Sequence, residues 1–296
     1  MRIAVTGKVG QVVTSLVERG RAAGHEVVAL GRPELNLVDS ASVARVLEAA
    51  APDAIVSAAA YTSVDRAETE SGLAYRVNGA GAGAVASAAK ALGLPLIHIS
   101  TDYVFDGSFD RPYVESDPTG PTGVYGESKL AGEQAVLAAH GDNSAVLRVA
   151  WVYSPFGVNF VKTMLRLAGE RDEVSVVADQ FGNPTSALAI ADGILKVATN
   201  LVARGCPALR GVFHMTARGE ASWADFAEAI FAASAAQGGP HARVKRISSA
   251  DYPTPATRPA NSRLDCGRIA EAHDVVLPDW RASLDAVIAR LQSAAS

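Results

Sequence analysis

Short apolar runs alternate with helical stretches through the first half of the chain. Arg2-Ile3-Ala4-Val5 reads as a strand. After Gly10, the apolar positions Val13, Leu16 and Val17 share one face of a helix that Gly24 closes. Glu26 to Leu30 predicts a second strand, Ser42 to Ala50 a helix stopped by Pro52, and Ala54 to Ser57 a third strand. The alanine-rich stretch from about Ala74 to Leu92 predicts a long helix, followed by a fourth strand from Leu96 to Ser100. Tyr125 through Ala139 has a helical pattern, and Ala145 to Trp151 reads as a fifth strand.

Strands separated by helices imply parallel pairing through right-handed crossovers. Their unbroken apolar character fits strands covered on both faces. The expected fold is α/β: a doubly wound, Rossmann-like parallel sheet with a smaller, loop-rich C-terminal part. Beyond Trp151 the pattern loosens, and proline and glycine gather around Pro155, Pro184 and Tyr252 to Pro259. The expected division is a dinucleotide-binding domain over 1–150, with part of 174–202 returning to it, and a substrate-binding domain over 151–296.

Composition narrows the class. A chain of 296 residues, 49% hydrophobic and 20% charged, is long and apolar enough to bury a large core. Its 27 Lys and Arg against 31 Asp and Glu leave a net charge of −4, without the broad basic field that draws in nucleic acid. Cys206 and Cys266 form no CxxC pair and read as ordinary thiols of a reducing compartment. No apolar run approaches the roughly 20 residues of a membrane span, and no signal peptide is evident, so a cytoplasmic location is expected. The six histidines are scattered without ligand spacing, and no metal site is expected.

The first chemistry lies in Thr6-Gly7-Lys8-Val9-Gly10-Gln11-Val12-Val13. Gly7 and Gly10 stand where a strand turns into a helix, and the free N–H groups there, with Gln11 and Val12 opening the helix, attract phosphate. Val13 occupies the third glycine of the full dinucleotide fingerprint, which predicts a wider helix–strand approach. A plain strand–helix turn is the alternative. Arg32 closes the second strand where an acid would hold the ribose of NADH. It suits the 2′-phosphate of NADPH instead, or is simply a solvated arginine. Asp39 is a candidate for the adenine end of the cofactor and equally for the N-terminal neighbour of the next helix.

The second lies in Tyr125-Gly126-Glu127-Ser128-Lys129, where spacing i, i+4 puts Tyr125 and Lys129 on one helix face. A tyrosine ionises near pH 10, and a neighbouring ammonium favours the phenolate, so Lys129 is expected to lower the Tyr125 pKa and hold a ribose. Ser100-Thr101-Asp102-Tyr103-Val104-Phe105 follows the fourth strand, where ligands of open α/β sheets sit. Hydroxyls of Ser100 and Thr101 there would bind a carbonyl oxygen as it becomes an alkoxide.

With Ala58 to Asp65, Trp151-Val152-Tyr153, Asp179 to Thr185 and Tyr252 to Pro259 added, the chain resembles the dTDP-4-dehydrorhamnose reductases over nearly its whole length. These are extended short-chain dehydrogenase/reductases of nucleotide-sugar metabolism. The resemblance implies reduction of a nucleotide-linked 4-keto sugar by NADPH, with NADH as a second acceptable cofactor. Tyr125 is then the proton donor and Lys129 its partner, with Ser100, Thr101 and Tyr103 at the sugar. Ala59, Ala60 and Tyr61 line the cofactor, and Trp151 packs on the substrate. Asn78 matches a family asparagine with a structural role. Arg258 is the candidate for the diphosphate, since guanidinium pairs with phosphate bidentately; Arg263 is a weaker one. Some members join subunits through a metal held by glutamates, but Val12-Val13-Thr14-Ser15 and Ala187-Leu188-Ala189 carry no acids, which argues against that dimer. The oligomeric state stays open. Rival readings are another 4-keto sugar reductase or epimerase, a regulatory subunit of a methionine adenosyltransferase, and a cofactor-sensing binding protein.

Overall fold

The apolar runs assemble into one six-stranded sheet. A computed structural model describes residues 1–203 and 205–293. Five strands, β1 (Arg2–Thr6), β2 (Glu26–Leu30), β3 (Ala54–Ser57), β4 (Leu96–Thr101) and β5 (Ser144–Val149), are joined by a sixth, Gly211–His214. Their order is Gly211–His214, β5, β4, β3, β1, β2, and every pairing is parallel. Strand order reverses between β1 and β3, so a crevice opens beyond their carboxyl ends. Every residue of β3, β4 and β5 is buried, as their continuous apolar character requires.

Helices cover both faces. On one side Ile3, Val5, Val56 and Leu147 pack with Val13 and Leu16 of α1 (Gln11–Ala22) and with Ile190 and Ile194 of the helix Ala187–Ala203. On the other, Ala4, Ile55 and Leu96 pack with Leu47 of α2 (Ser40–Ala50) and Val85 of the helix Gly81–Leu92. A second core of Tyr153, Met164, Phe226, Trp280 and Leu284 lies in the later chain. Within 174–202 the two halves part company. Glu173–Val177 pairs with Arg243–Ile247 in a separate two-stranded sheet, whereas Ala187–Ala203 packs on α1 and leads towards the sixth strand.

Two boundaries differ from the periodicity. The long helix expected from Ala74 is broken into Ser71–Tyr75, a π-helical turn at Arg76–Ala80, and Gly81–Leu92. The wide turn carries Asn78, whose side chain is bonded to two other segments. The fifth strand stops at Val149, and Trp151 turns the chain with a φ of 46°, in the left-handed region. Among the described residues no helix is long and apolar enough to cross a membrane.

Candidate active site

The glycine turn sits at the crevice. Gly7 has a φ of 105°, open to glycine and strained for other residues. A Cβ there would lie 3.2 Å from Val13 Cγ2 and 3.6 Å from Ala59 Cβ. The bulk missing at Gly7 is therefore filled by Val13, which is 2% exposed and part of the core. Close helix–strand contact occurs further along α1, at Gly20, where a Cβ would stand 2.3 Å from Val27 Cγ2. Gly10 caps α1 in an extended conformation with no side-chain cap, which leaves the first N–H groups of the helix for a ligand. Thr6 Oγ1 accepts from Ala58 N and Ala59 N at 3.0 Å each, tying the loop after β3 to the end of β1.

Two polar residues expected at the cofactor spend their side chains elsewhere. Gln11 Oε1 accepts from Ser154 Oγ at 2.8 Å and Asn159 Nδ2 at 3.0 Å, so Gln11 and its neighbour Val12 can offer the cofactor only their main chain. Of the two roles open to Asp39, the structure shows the helix cap: Oδ1 accepts from Ala41 N and Ser42 N at 3.1 and 3.2 Å. Arg32 is exposed at the end of β2, and Lys8 Nζ lies 2.5 Å from Glu34 Oε2 beside it. Tyr61 sends its hydroxyl to Glu70 Oε2 at 2.7 Å, while its main chain is held from both sides by Asn78. Asn78 Nδ2 also donates to Ser128 Oγ at 2.9 Å, which makes it the pin between the Ala59-Ala60-Tyr61 loop and the helix that carries Tyr125 and Lys129. An uncapped helix start, a permissive glycine beside it and two cations at the end of β2 fit a dinucleotide.

That helix runs from Val124 to His140, and Glu68 Oε1 accepts from Val124 N at 3.0 Å to satisfy its start. Gly126 permits the close approach to β4's extension, since a Cβ there would fall 2.2 Å from the Tyr103 carbonyl oxygen. Tyr125 meets the edge of the Tyr103 ring with centroids 5.5 Å apart. Burial pushes the Tyr125 phenol up to about 12; hydrogen bonding with Thr101 pulls against this and the Asp102 carboxylate adds to it. Lys129 is 3% exposed, and its Nζ donates to the Ile99 carbonyl at 2.6 Å. Burial lowers Lys129 to about 8, opposed by the charge of Glu133. The expected acidification of Tyr125 by Lys129 is therefore not found. The ammonium is bonded to β4's main chain, and desolvation governs the phenol. A proton donor is well served by this, because the phenol holds its proton throughout the neutral range.

Ser100 corrects a second expectation. It is 2% exposed, and its Oγ donates to Glu133 Oε1 at 2.5 Å, away from the crevice. Strand alternation explains it: Ser100 and Thr101 leave β4 on opposite faces, so only one can serve the site. Thr101 Oγ1 accepts from Tyr103 N at 3.2 Å and donates to Asp102 Oδ1 at 2.9 Å. Below Ser100, Glu133 takes a two-pronged bond from Arg148, Nε at 2.9 Å and Nη2 at 2.7 Å. Sequence reading missed this pair, although an arginine inside a buried strand and an acid one turn after Lys129 both signal it. Arg258 Nη2 pairs with Asp65 Oδ2 at 3.0 Å and so fastens the proline-rich segment to the short helix Val64–Ala67 that follows β3. Arg263 bonds Asn261, Glu220 and the Asp110 carbonyl, which makes it a strut. Trp151 is half-buried and stacks on Trp223 with centroids 3.5 Å apart and planes 6° from parallel. Among the described residues no cluster of His, Cys, Asp and Glu could hold a metal ion.

A family model described as the RmlD substrate binding domain matches residues 1–293. A dTDP-4-dehydrorhamnose reductase of Sinorhizobium fredii is 50% identical over 283 residues, covering 96% of this chain and 95% of that one. The chain belongs to the dTDP-4-dehydrorhamnose reductase family. Among solved structures, the family's protein from Clostridium acetobutylicum superposes with a TM-score of 0.91 at 34% identity, covering 99% of this chain and all of that one (100%). The Bacillus anthracis member, solved in complex with NADP, gives 0.90 at 34% identity, with 98% and 99% covered.

Proposed function

We propose that this chain is an NADPH-dependent oxidoreductase that reduces the 4-keto group of dTDP-4-dehydro-L-rhamnose to give dTDP-L-rhamnose. The observation that carries this reading is the convergence of the Tyr125 phenol and Thr101 at the crevice end of β4, beside a glycine turn built for a dinucleotide. Bound NADPH supplies the hydride that C4 receives. Tyr125 gives its proton to the oxygen of that carbon, so one hydride and one proton turn the ketone into an alcohol. Rotation of the Thr101 hydroxyl away from Asp102 offers its proton to the same oxygen and steadies the developing charge. Lys129 keeps the catalytic helix against β4 through Ile99 and presents a cation to the ribose. Trp151, braced by Trp223, packs on the sugar, and Arg258, oriented by Asp65, meets the diphosphate. Binding energy from that remote diphosphate holds the substrate in the crevice, equally in ground and transition states.

The test is a coupled assay. dTDP-4-keto-6-deoxyglucose is supplied with the 3,5-epimerase, and NADPH oxidation by the purified chain is followed with product identification by NMR. Epimerase-dependent oxidation yielding dTDP-L-rhamnose is expected. Oxidation that proceeds equally without the epimerase would assign a different keto sugar, and none at all with the chain alone would favour a binding or regulatory role.

A further inference from the structure

The corner where β1 and β2 end holds two cations and one acid. Lys8 follows Gly7 at the end of β1, and its stem lies across Gly31, where a Cβ would fall 3.1 Å from Lys8 Cγ and 3.3 Å from Lys8 N. Its ammonium is thereby carried to the end of β2. There it bonds Glu34 at 2.5 Å, with 42% and 60% of the two side chains exposed. The Lys8 contact holds the Glu34 carboxyl below the usual carboxylate range. Arg32 is exposed beside them and makes no ion pair among the described residues. Asp39, the other acid within reach in sequence, is committed to its helix.

Charge accounting follows. A carboxylate at the end of the second strand suits the 2′-hydroxyl of NADH, whereas a 2′-phosphate calls for cations. With Glu34 in place, one of the two cations is already neutralised. The pair is exposed, so its strength is small and a phosphate dianion can displace the carboxylate. We infer that the Lys8–Glu34 pair sets cofactor choice: Lys8 is a second cation for the 2′-phosphate, and Glu34 limits the preference for NADPH by competing for it. This rests on the dinucleotide reading of the site and adds to it the residue that opposes phosphate.

The experiment compares adenosine 2′,5′-bisphosphate with adenosine 5′-monophosphate, which lacks the 2′-phosphate, by titration calorimetry on the full chain. Lys8→Met is expected to weaken the bisphosphate about tenfold and leave the monophosphate unchanged. Glu34→Gln is expected to tighten the bisphosphate about threefold, and to do much less in a Lys8→Met background, because the competition is then gone. Equal losses for both nucleotides in Lys8→Met would overturn the inference, as would unchanged or weaker bisphosphate binding in Glu34→Gln. A native chain that binds neither nucleotide would instead remove the dinucleotide reading itself, and the inference with it. Both positions lie on the surface, and circular dichroism of each variant confirms that the fold is retained.

Discussion

Beneath the helix Val124–His140, Arg148 and Glu133 face each other with 4% and 2% of their side chains exposed; at the mouth of the crevice, Lys8 and Glu34 face each other with 42% and 60% exposed. The two pairs have similar contact distances and opposite physics. Water cannot replace a partner lost from the first, so removing one side strands a buried charge. At the mouth water can replace it, and a ligand phosphate can as well. The floor holds Tyr125, Lys129 and Thr101 in one arrangement, with Ser100 and Glu133 bonding β4 to the helix Val124–His140. The rim, Lys8 with Glu34 and Arg258 with Asp65, is made of partly exposed pairs that water can reach. A fixed arrangement below and exposed pairings above follow from burial alone.

The largest effect expected at the floor is on turnover. Tyr125→Phe keeps the ring and removes the proton, and should cost roughly 10³-fold or more in kcat while nucleotide binding persists. Native-rate reduction by that variant would reassign the proton donor. Next comes stability. Glu133→Leu alone leaves Arg148 buried and unpaired and should cost about 3–5 kcal/mol in urea unfolding. Adding Arg148→Met should recover most of that loss. If the double variant were as unstable as the single one, the pair would be irreplaceable packing and the floor–rim distinction would weaken.

A third prediction uses Lys129. Its folded value of about 8 lies below the reference value of 10.5, so between those two the unfolded chain binds the extra proton. Stability from this group therefore rises with pH from about 8 upward, by at most about 1.4 kcal/mol per pH unit, and is flat below 8 where both states are charged. Lys129→Met should lack that rise. In the same window the reduction rate should fall as the ammonium is lost, well before Tyr125 deprotonates. A rate that holds steady to pH 10 would show that the cation is not required.

The sheet and the chemistry-bearing segments were legible because they depend on local pattern. Apolar runs gave β1 to β5, and the Tyr125–Lys129 spacing needed only a helix to place both on one face. What stayed hidden depends on partners distant in sequence. Gln11 looks like a cofactor ligand until Ser154 and Asn159, more than 140 residues on, take its amide. Ser100 and Thr101 look interchangeable until Glu133 claims one of them. The break at Asn78 is invisible in an alanine-rich stretch because its cause lies in the loop of Tyr61. Asp39, by contrast, kept both of its roles open, and local helix capping decided between them.

The smallest effect tests the rim. Arg258 and Asp65 are 26% and 41% exposed in their side chains, so their pairing contributes little to folding. Arg258→Ala should shift the urea midpoint negligibly. If the guanidinium meets the diphosphate, KM for the sugar nucleotide should rise about fivefold to tenfold with kcat nearly constant, because a contact made equally in ground and transition states is uniform binding. The native KM should also climb with added salt, and Arg258→Ala should flatten that dependence, since screening acts on exposed charges. A large loss of stability with unchanged KM would place Arg258 with the floor, as a clamp between the proline-rich segment and the helix Val64–Ala67, and would leave the diphosphate to another cation.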